Sequence, residues 1–205
     1  RWGMRHPFLF LRKASLANFK AFFRFLNGGE ALEVLNLEDE RPDGIVEAEV
    51  KEGGERGELD LFDGIDRGEL IKFKFEEKPM VSIAIPVFNQ WEHTYACLLS
   101  ILKNTSSTVS YEIIIADDVS TDETRNIKNL VKNVKVVRNK ENLGFLRNCN
   151  NAAKSARGKY ILFLNNDTRV QKGWLKSLID TFGLDEKIGM VGSKLVYPDG
   201  KLQEA

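Results

Sequence analysis

The chain has 205 residues, of which 42% are hydrophobic, and this size and composition are typical of a soluble protein with one full domain and an appendage. Its 30 basic and 30 acidic side chains cancel, so the net charge identifies no class of charged partner, and we predict no binding to nucleic acid. No apolar run approaches the roughly 18–20 residues that cross a membrane, and no signal peptide is evident. The chain starts with Arg1 and has no terminating signal before Ala205, so we expect it to be a piece of a longer protein.

Charge is segregated along the chain. Residues 1–27 carry a net charge of +6, residues 28–78 carry −10 and residues 79–205 carry +4. Segregation of this kind marks segments with different roles. We therefore divide the chain into residues 1–29, residues 30–78 and residues 79–205.

Residues 1–29 are predicted to form a basic amphipathic helix, which Asn27, Gly28 and Gly29 would end. Its apolar side chains fall on one broad arc at about 100° per residue, with basic side chains opposite. The arc consists of Phe8, Leu11, Leu16, Phe19, Phe22, Phe23 and Leu26. Two interpretations of residues 1–27 compete. The helix lies on an anionic membrane, or it packs on a neighbouring domain or on the rest of the chain, and we favour the second slightly because Phe-rich faces serve both purposes.

Residues 30–78 are acidic and repeatedly interrupted by glycine, a composition that predicts a linker. Short strands are predicted within it at Ile45–Val50 and Leu70–Phe75. A charge-rich segment is usually solvated surface, so we assign no chemistry to it.

From residue 79 onward, strands and helices alternate. The predicted strands are Val81–Pro86, Tyr111–Ala116, Val134–Val137, Tyr160–Leu164 and Ile188–Val191. The predicted helices are Trp91–Leu102, Phe145–Ala156 and Lys172–Phe182, with a further helix after Ser120. This alternation predicts an α/β fold, a mainly parallel, doubly wound sheet flanked by helices, whose right-handed crossovers gather the strand ends on one side. Cys97 and Cys149 fall in helical segments without metal-ligand spacing and are predicted to be buried thiols.

The first predicted strand of this region ends in the sequence PVFN. Pro86 cannot donate a hydrogen bond to a neighbouring strand, so it suits the end of a strand. Phe88 is then placed to form one wall of a pocket for a nucleobase. The alternative is an ordinary turn.

The second strand ends in the sequence ADDVSTDET. Ser120 and Glu123 have the spacing of a capping box at the start of a helix. Asp117 and Asp118 precede that cap, and a carboxylate there can accept a hydrogen bond from a nucleobase imide or a ribose hydroxyl. We favour such a role slightly for Asp118 and weigh it equally with a structural role for Asp117.

The third signal is the sequence NKENLGFLRNCNN. Asn142 and Gly144 allow a tight turn close to a ligand. Arg147, Asn148 and Asn151 fall on the first turns of the helix that follows. Because asparagine has a low helix propensity, a hydrogen-bonding role is plausible for the two asparagines, although polar surface explains each residue equally well.

The fourth signal follows the apolar run Tyr160–Leu164, which ends abruptly at Asn165, Asn166 and Asp167. Ligands of open α/β sheets bind beyond the carboxyl ends of such strands. Oxygen ligands at this edge suit a divalent cation, and a cation there would hold phosphate. We therefore predict that Asp167 binds a metal.

Taken together, VSIAIPVFN, ADDVSTDET, ENLGFLRNCN and LFLNND followed by GWL resemble family 2 glycosyltransferases of the GT-A fold. The similarity is greatest to bacterial enzymes that extend surface polysaccharides, including rhamnosyltransferase-like members, and it covers residues 79–205. The resemblance implies a Rossmann-like GT-A sheet that binds the donor, preceded by the helical and acidic extension. It also implies that Asn165, Asn166 and Asp167 form the DXD-type motif, in which Asp167 binds Mn²⁺ or Mg²⁺ at the donor's diphosphate.

The resemblance and the residue pattern together define a predicted nucleotide-sugar site. It consists of Pro86, Phe88, Asp117, Asp118, Asn142, Gly144, Asn165 and Asn166, with Asp167 as the metal ligand. Two positions depart from the family's pattern. Asn165 replaces an aspartate, so we expect weaker metal affinity, and Val119 replaces the usual glycine. The family's catalytic base lies beyond this motif, and we identify no candidate for it.

These features predict a metal-dependent, inverting glycosyltransferase that uses a UDP- or dTDP-linked sugar and a glycan or lipid-linked acceptor. The chain would carry mainly the donor site and transfer little sugar alone. We expect a cytoplasmic location, peripheral to the inner membrane if residues 1–27 bind it. Two alternatives remain: a nucleotide-sugar-binding module without catalysis, and a scaffold module.

Overall fold

The computed structural model describes residues 8–12 (as backbone), 70–197 and 200–204. The strands are β1 (Phe8–Arg12), β2 (Ile71–Lys72), β3 (Val81–Val87), β4 (Tyr111–Asp117), β5 (Val131–Lys132), β6 (Lys135–Arg138), β7 (Tyr160–Leu164), β8 (Met190–Val191), β9 (Leu195–Val196) and β10 (Leu202–Glu204). The helices are α1 (Trp91–Asn104), α2 (Ile127–Leu130), α3 (Phe145–Lys154) and α4 (Trp174–Phe182), and a 3₁₀ turn at Glu123–Asn126 precedes α2.

The main sheet has six strands in the order β6-β4-β3-β7-β1-β8. Strands β6, β4, β3 and β7 are parallel to one another, whereas β1 is antiparallel to both β7 and β8. All residues of β3 and β7 are buried, as expected for parallel strands covered on both faces. The predicted mainly parallel α/β fold is therefore confirmed, and each predicted strand and long helix in residues 79–205 ends within two residues of its expected bounds.

Helices cover both faces of the sheet. On one face, α1 and α4 pack through side chains such as Leu98 and Leu178 against strand residues that include Ile83. On the other face, Ala152 and Ala153 of α3 pack with the second cluster of buried strand residues. None of the helices in the described ranges is long and apolar enough to cross a membrane.

Strand β1 corrects part of the prediction for the start of the chain. The sequence predicts a helix through residues 1–29, but residues 8–12 pair with β7 and β8. A short apolar run such as FLFL fits a buried strand as well as a helix, so its periodicity alone cannot decide between them. Pairing with β7 also covers an edge whose backbone groups would otherwise lack partners. The other residues of this predicted helix lie outside the described ranges, as does the predicted strand at Ile45–Val50.

Residues 70–78, which the sequence assigns to the linker, pack on the domain. The strand predicted at Leu70–Phe75 is present as β2, which pairs in parallel with β5. Ile71 and Phe73 are buried in the main core cluster. The Asn133 side chain donates a hydrogen bond to the Phe73 carbonyl at 2.7 Å. This part of the predicted linker is therefore an ordered part of the domain; residues 30–69 lie outside the described ranges.

The predicted capping box after β4 is wrong. Asp122, not Ser120, caps the 3₁₀ turn, and its carboxylate accepts a hydrogen bond from the Thr124 amide at 3.0 Å. The Ser120 hydroxyl instead accepts a hydrogen bond from the backbone amide of Asn89 at 2.8 Å. Capping rules use only local spacing, whereas this serine connects the loops that follow two different strands.

Candidate donor site

The ends of three strands form one cavity. Strand β3 lies between β4 and β7, all three are parallel, and their carboxyl ends therefore meet at one edge of the sheet. A cavity of about 460 Å³ opens at this edge. Six predicted site residues line it: Pro86, Phe88, Asp118, Asn165, Asn166 and Asp167.

Asp118 is buried at the edge of the cavity, with 2% of its surface exposed. Its Oδ1 accepts hydrogen bonds from Asn139 Nδ2 at 2.7 Å and from the Leu143 amide at 2.9 Å. Its Oδ2 accepts one from the Gly144 amide at 2.9 Å. Three protein donors thus compensate the desolvation of this carboxylate and fix its orientation.

Asp117 has a different environment and does not line the cavity. Its Oδ2 pairs with the Arg138 guanidinium, and its Oδ1 accepts a hydrogen bond from the Ser120 amide at 2.8 Å. Arg138 also donates to the Ser120 carbonyl at 2.8 Å. These contacts hold the loop after β4, so the structure gives Asp117 a structural environment rather than one in the cavity.

Asn142 and Gly144 do not line the cavity. The Asn142 Oδ1 accepts a hydrogen bond from the Gly144 amide at 3.2 Å, forming the predicted tight turn. Gly144 has a φ of 78° and precedes α3, a conformation that favours glycine. Both residues therefore act through the loop that holds Asp118.

The loops after β3 and β4 contain unusual backbone conformations. Asn89, Gln90 and Val119 have φ values of 56°, 62° and 67°. Such values are uncommon outside glycine, and for a β-branched residue such as Val119 they are strained. The Asn89 Oδ1 accepts hydrogen bonds from the Thr121 amide at 2.7 Å and the Asp122 amide at 3.3 Å, so the two loops hold each other in place.

Hydrogen bonds with two threonines fix the Asn165–Asp167 turn. The Asn165 carbonyl accepts a hydrogen bond from the Thr168 hydroxyl at 2.6 Å, and Asn166 Nδ2 donates to Thr94 Oγ1 of α1 at 2.9 Å. Asp167 is exposed and lines the cavity. The turn therefore presents a carboxylate to solvent while its backbone is fixed.

Cys97 lies beneath this turn, with its Sγ 3.7 Å from the Asn165 carbonyl oxygen. Burial raises the pKa of the Cys97 thiol to about 12, and burial raises that of Cys149 to the same value. Both thiols are therefore neutral near pH 7, and a neutral thiol is a poor metal ligand. The prediction of two buried thiols is confirmed.

The residues at the cavity fit a metal ion whose coordination is completed by a bound diphosphate. Among the described residues, no group of three or more His, Cys, Asp or Glu side chains could hold a metal ion. Asp167 instead supplies one carboxylate, next to the amide side chains of Asn165 and Asn166. Mg²⁺ usually keeps several waters and is held by one or two carboxylates together with substrate phosphates. This donor set therefore suits a cation that a diphosphate helps to coordinate.

Six further residues line the cavity but were not in the predicted site: Val87, Asn89, Gln90, His93, Phe145 and Asn148. Asn148 was noted as a hydrogen-bonding candidate, and Phe145 starts the same helix. His93 lies in the first turn of α1, the helix that follows β3. Position along the chain could have identified His93, Phe145 and Asn148. Each lies in the first turns of a helix that follows a parallel strand, and such turns face the same edge of the sheet as the strand's carboxyl end.

The fold is a mainly parallel α/β domain with polar loops around one cavity at the carboxyl ends of its strands. The Glycosyl transferase family 2 model matches residues 82–204. That match covers more than half of the chain, and the chain belongs to this family.

Two curated relatives illustrate the family. The putative teichuronic acid biosynthesis glycosyltransferase TuaG of Bacillus subtilis is 33% identical over 129 residues, covering 60% of this chain and 50% of its own length. The Escherichia coli enzyme WfaP, a UDP-Glc:alpha-D-GlcNAc-diphosphoundecaprenol beta-1,3-glucosyltransferase, is 40% identical over 92 residues, covering 43% and 35%. The chain thus spans half or less of the length of these relatives.

A solved structure shares the fold. The mannosyltransferase PcManGT from Pyrobaculum calidifontis, in complex with GDP-Man and Mn²⁺, superimposes with a TM-score of 0.50 and 20% identity. The match covers 60% of this chain and 37% of the mannosyltransferase. At this level of identity the similarity concerns the fold alone.

Proposed function

We propose that this chain carries the donor site of a metal-dependent, inverting glycosyltransferase, which moves a sugar from a nucleoside-diphosphate donor to a glycan or lipid-linked acceptor. The observation that carries the proposal is the convergence of three loops, after β3, β4 and β7, on one cavity that contains aromatic, carboxylate and amide side chains. The family match supports the reaction class.

The nucleoside end of the donor is assigned to the loops after β3 and β4. Phe88 is 39% exposed although it is aromatic, and Pro86, Asp118 and Phe145 line the same cavity. An exposed aromatic face offers stacking to a base, and the buried Asp118 carboxylate offers a hydrogen-bond acceptor. These groups suit uridine or deoxythymidine diphosphates.

The diphosphate end is assigned to the turn after β7. Asp167 would hold Mg²⁺ or Mn²⁺ together with the donor's phosphates, and Asn165 and Asn166 lie beside it. When bound, the cation stabilises the negative charge of the leaving diphosphate. The chain's own contribution is the fixed turn, which keeps the Asp167 carboxylate at the cavity without a conformational search.

Inversion requires a base that deprotonates the acceptor hydroxyl on the face opposite the leaving group. The two carboxylates of the cavity lining are assigned to the donor, and we assign the base to no residue of the cavity. The name of WfaP specifies a lipid-linked diphosphoundecaprenol acceptor, which supports an acceptor of that chemistry here. A cytoplasmic location at the inner membrane accords with such an acceptor.

The test is a calorimetric titration of the chain with UDP, with and without Mn²⁺. Asp167→Asn removes the charge while keeping the size of the side chain, and Asp185→Asn makes the same change at an exposed aspartate that does not line the cavity. The expected result is binding that is at least about tenfold tighter with Mn²⁺, a gain lost in Asp167→Asn and kept in Asp185→Asn. Equally tight binding without Mn²⁺ would contradict the metal-dependent site, and failure to bind UDP, dTDP and GDP would reject the donor site.

A further inference from the structure

A network of side-chain amides lies beside the cavity and ends on Asp118. Asn139 Nδ2 donates to Asp118 Oδ1 at 2.7 Å and to Asn148 Oδ1 at 2.9 Å. Asn139 Oδ1 accepts a hydrogen bond from Asn151 Nδ2 at 2.9 Å, and Asn148 Nδ2 donates to the Ala116 carbonyl at 2.7 Å. Asn139 is 9% exposed and Asn148 is 2% exposed, so these bonds are shielded from water.

Only one orientation of the Asn139 amide satisfies this network. Turning the group over would place its oxygen against two acceptors, Asp118 Oδ1 and Asn148 Oδ1, and its nitrogen against the Asn151 amide donor. Buried donors and acceptors that lose their partners are costly, so the arrangement is specified uniquely. Asn139 therefore holds the Asp118 carboxylate in one position without itself lining the cavity.

The protein donors around Asp118 leave it little remaining acceptor capacity. An ionised carboxylate has about four acceptor positions, two on each oxygen. Asn139 and Leu143 occupy both positions on Oδ1, and Gly144 occupies one on Oδ2. One position on Oδ2 remains for a ligand in the cavity.

We propose that Asn139 is a positioning residue that selects the nucleobase through Asp118. The single remaining acceptor matches a base with one imide N–H, uracil or thymine. Guanine presents two neighbouring N–H donors on the corresponding edge, and one of them would be left without an acceptor. A buried donor without a partner weakens binding. This inference rests on the proposed donor site.

The test compares UDP with N3-methyl-UDP, which lacks the imide N–H, by calorimetry in the presence of Mn²⁺. For the unchanged chain we expect UDP to bind about tenfold or more tightly than the methylated nucleotide, as a hydrogen bond to a carboxylate requires. In Asn139→Ala the ratio of the two dissociation constants should fall, because one of the three donors that fix the Asp118 carboxylate is lost. A general loss of structure would weaken both nucleotides equally and leave the ratio unchanged.

Asn129→Ala is the matched control, because Asn129 is exposed and lies outside both the network and the cavity lining, and its ratio should stay near that of the unchanged chain. If Asn139→Ala does not fold, Asn139→Ser is used, since its hydroxyl is too short to bridge Asp118 and Asn148. An unchanged ratio in the Asn139 variants, equal binding of the two nucleotides by the unchanged chain, or tighter binding of GDP than of UDP would overturn the inference. Absence of all nucleotide binding would instead reject the proposed donor site.

Discussion

The two carboxylates that line the cavity have opposite environments. Asp118 is buried and accepts three hydrogen bonds from the protein, whereas Asp167 is exposed at the end of a rigid turn. A buried carboxylate with fixed donors is suited to recognising one geometry, and an exposed one is suited to sharing a hydrated cation with a ligand. These environments support the proposed division of roles, in which Asp118 binds the base and Asp167 binds the metal.

The metal should bind weakly until the nucleotide arrives. Asp167 offers a single carboxylate, and no preformed cluster of metal ligands exists among the described residues. We expect Mn²⁺ alone to show a dissociation constant at least about tenfold weaker than in the presence of saturating UDP, because phosphate oxygens complete the coordination shell. The measurement is the electron paramagnetic resonance signal of free Mn²⁺ during titration. Equally tight binding without UDP would contradict it.

Val119 carries strain that glycine would remove. Its φ of 67° lies in the left-handed region, which costs a β-branched residue about 1–2 kcal/mol. Val119→Gly should therefore raise the free energy of unfolding, by about 0.5–1 kcal/mol after the greater entropy of an unfolded glycine is subtracted. Urea denaturation measures the change.

Asn133→Gly is the contrasting variant. Asn133 has a similar φ of 61°, but asparagine tolerates that region and its side chain donates to the Phe73 carbonyl at 2.7 Å. Glycine there should lower the free energy of unfolding, by about 1 kcal/mol for the lost hydrogen bond. A loss of stability in Val119→Gly as well would show that backbone strain does not govern this position.

At the level of elements, an ion pair joins the amino ends of the strands, away from the cavity. Glu112 of β4 accepts hydrogen bonds from Ser82 Oγ of β3 at 2.6 Å and from Arg157 Nε, before β7, at 2.8 Å. Burial raises the pKa of the Glu112 carboxyl, but the hydrogen bonds and charge of Ser82 and Arg157 outweigh burial and lower it overall. The ionised form of Glu112 is thus the stabilising one.

Glu112→Gln should lower the free energy of unfolding by about 2–3 kcal/mol at pH 7, since it leaves buried donors poorly paired. Because the folded-state pKa lies below the ordinary value of 4.5, the stabilisation is complete above pH 4.5 and is lost as the pH falls through the folded-state value. The difference in the free energy of unfolding between the unchanged chain and Glu112→Gln should therefore decrease at acidic pH. Urea denaturation across this pH range measures it, with the exposed Glu141→Gln as control.

Two nearby phenylalanines in the segment before β3 differ in burial. Phe73 is 2% exposed and Phe75 is 64% exposed. Phe73→Ala should lower the free energy of unfolding by about 3–4 kcal/mol, because it leaves a cavity in the core. Phe75→Ala should lower the free energy of unfolding by about 1 kcal/mol or less, since the ring is largely exposed and its described ring contact is with the guanidinium of Arg157. Similar losses in the thermal or urea unfolding of both variants would contradict the packing of this segment.

For the whole molecule, the sequence predicts the features that depend on local pattern. The buried run at Tyr160–Leu164 gives β7 with its predicted bounds, and the polar residues after β3, β4 and β7 do meet at one edge. Parallel strand order explains this success, because every strand end then points to the same side.

Features that depend on contacts between distant residues were not predictable in this way. The sequence treats Asp117 and Asp118 as similar, yet Arg138 pairs with the first and Asn139 holds the second. A Cβ at Gly158 would lie 2.6 Å from the Ser82 backbone nitrogen, so close packing between distant parts of the chain requires glycine at this position. Such roles follow from tertiary contacts and leave no periodic signal in the sequence.

The most direct test of the donor site is a crystal structure of the chain with UDP and Mn²⁺, using the anomalous signal of manganese. The structure should show manganese bound to Asp167 and the diphosphate, with uracil beside Phe88 and Asp118 in the cavity. Nucleotide bound outside this cavity, or manganese away from Asp167 while UDP is present, would contradict the assignment.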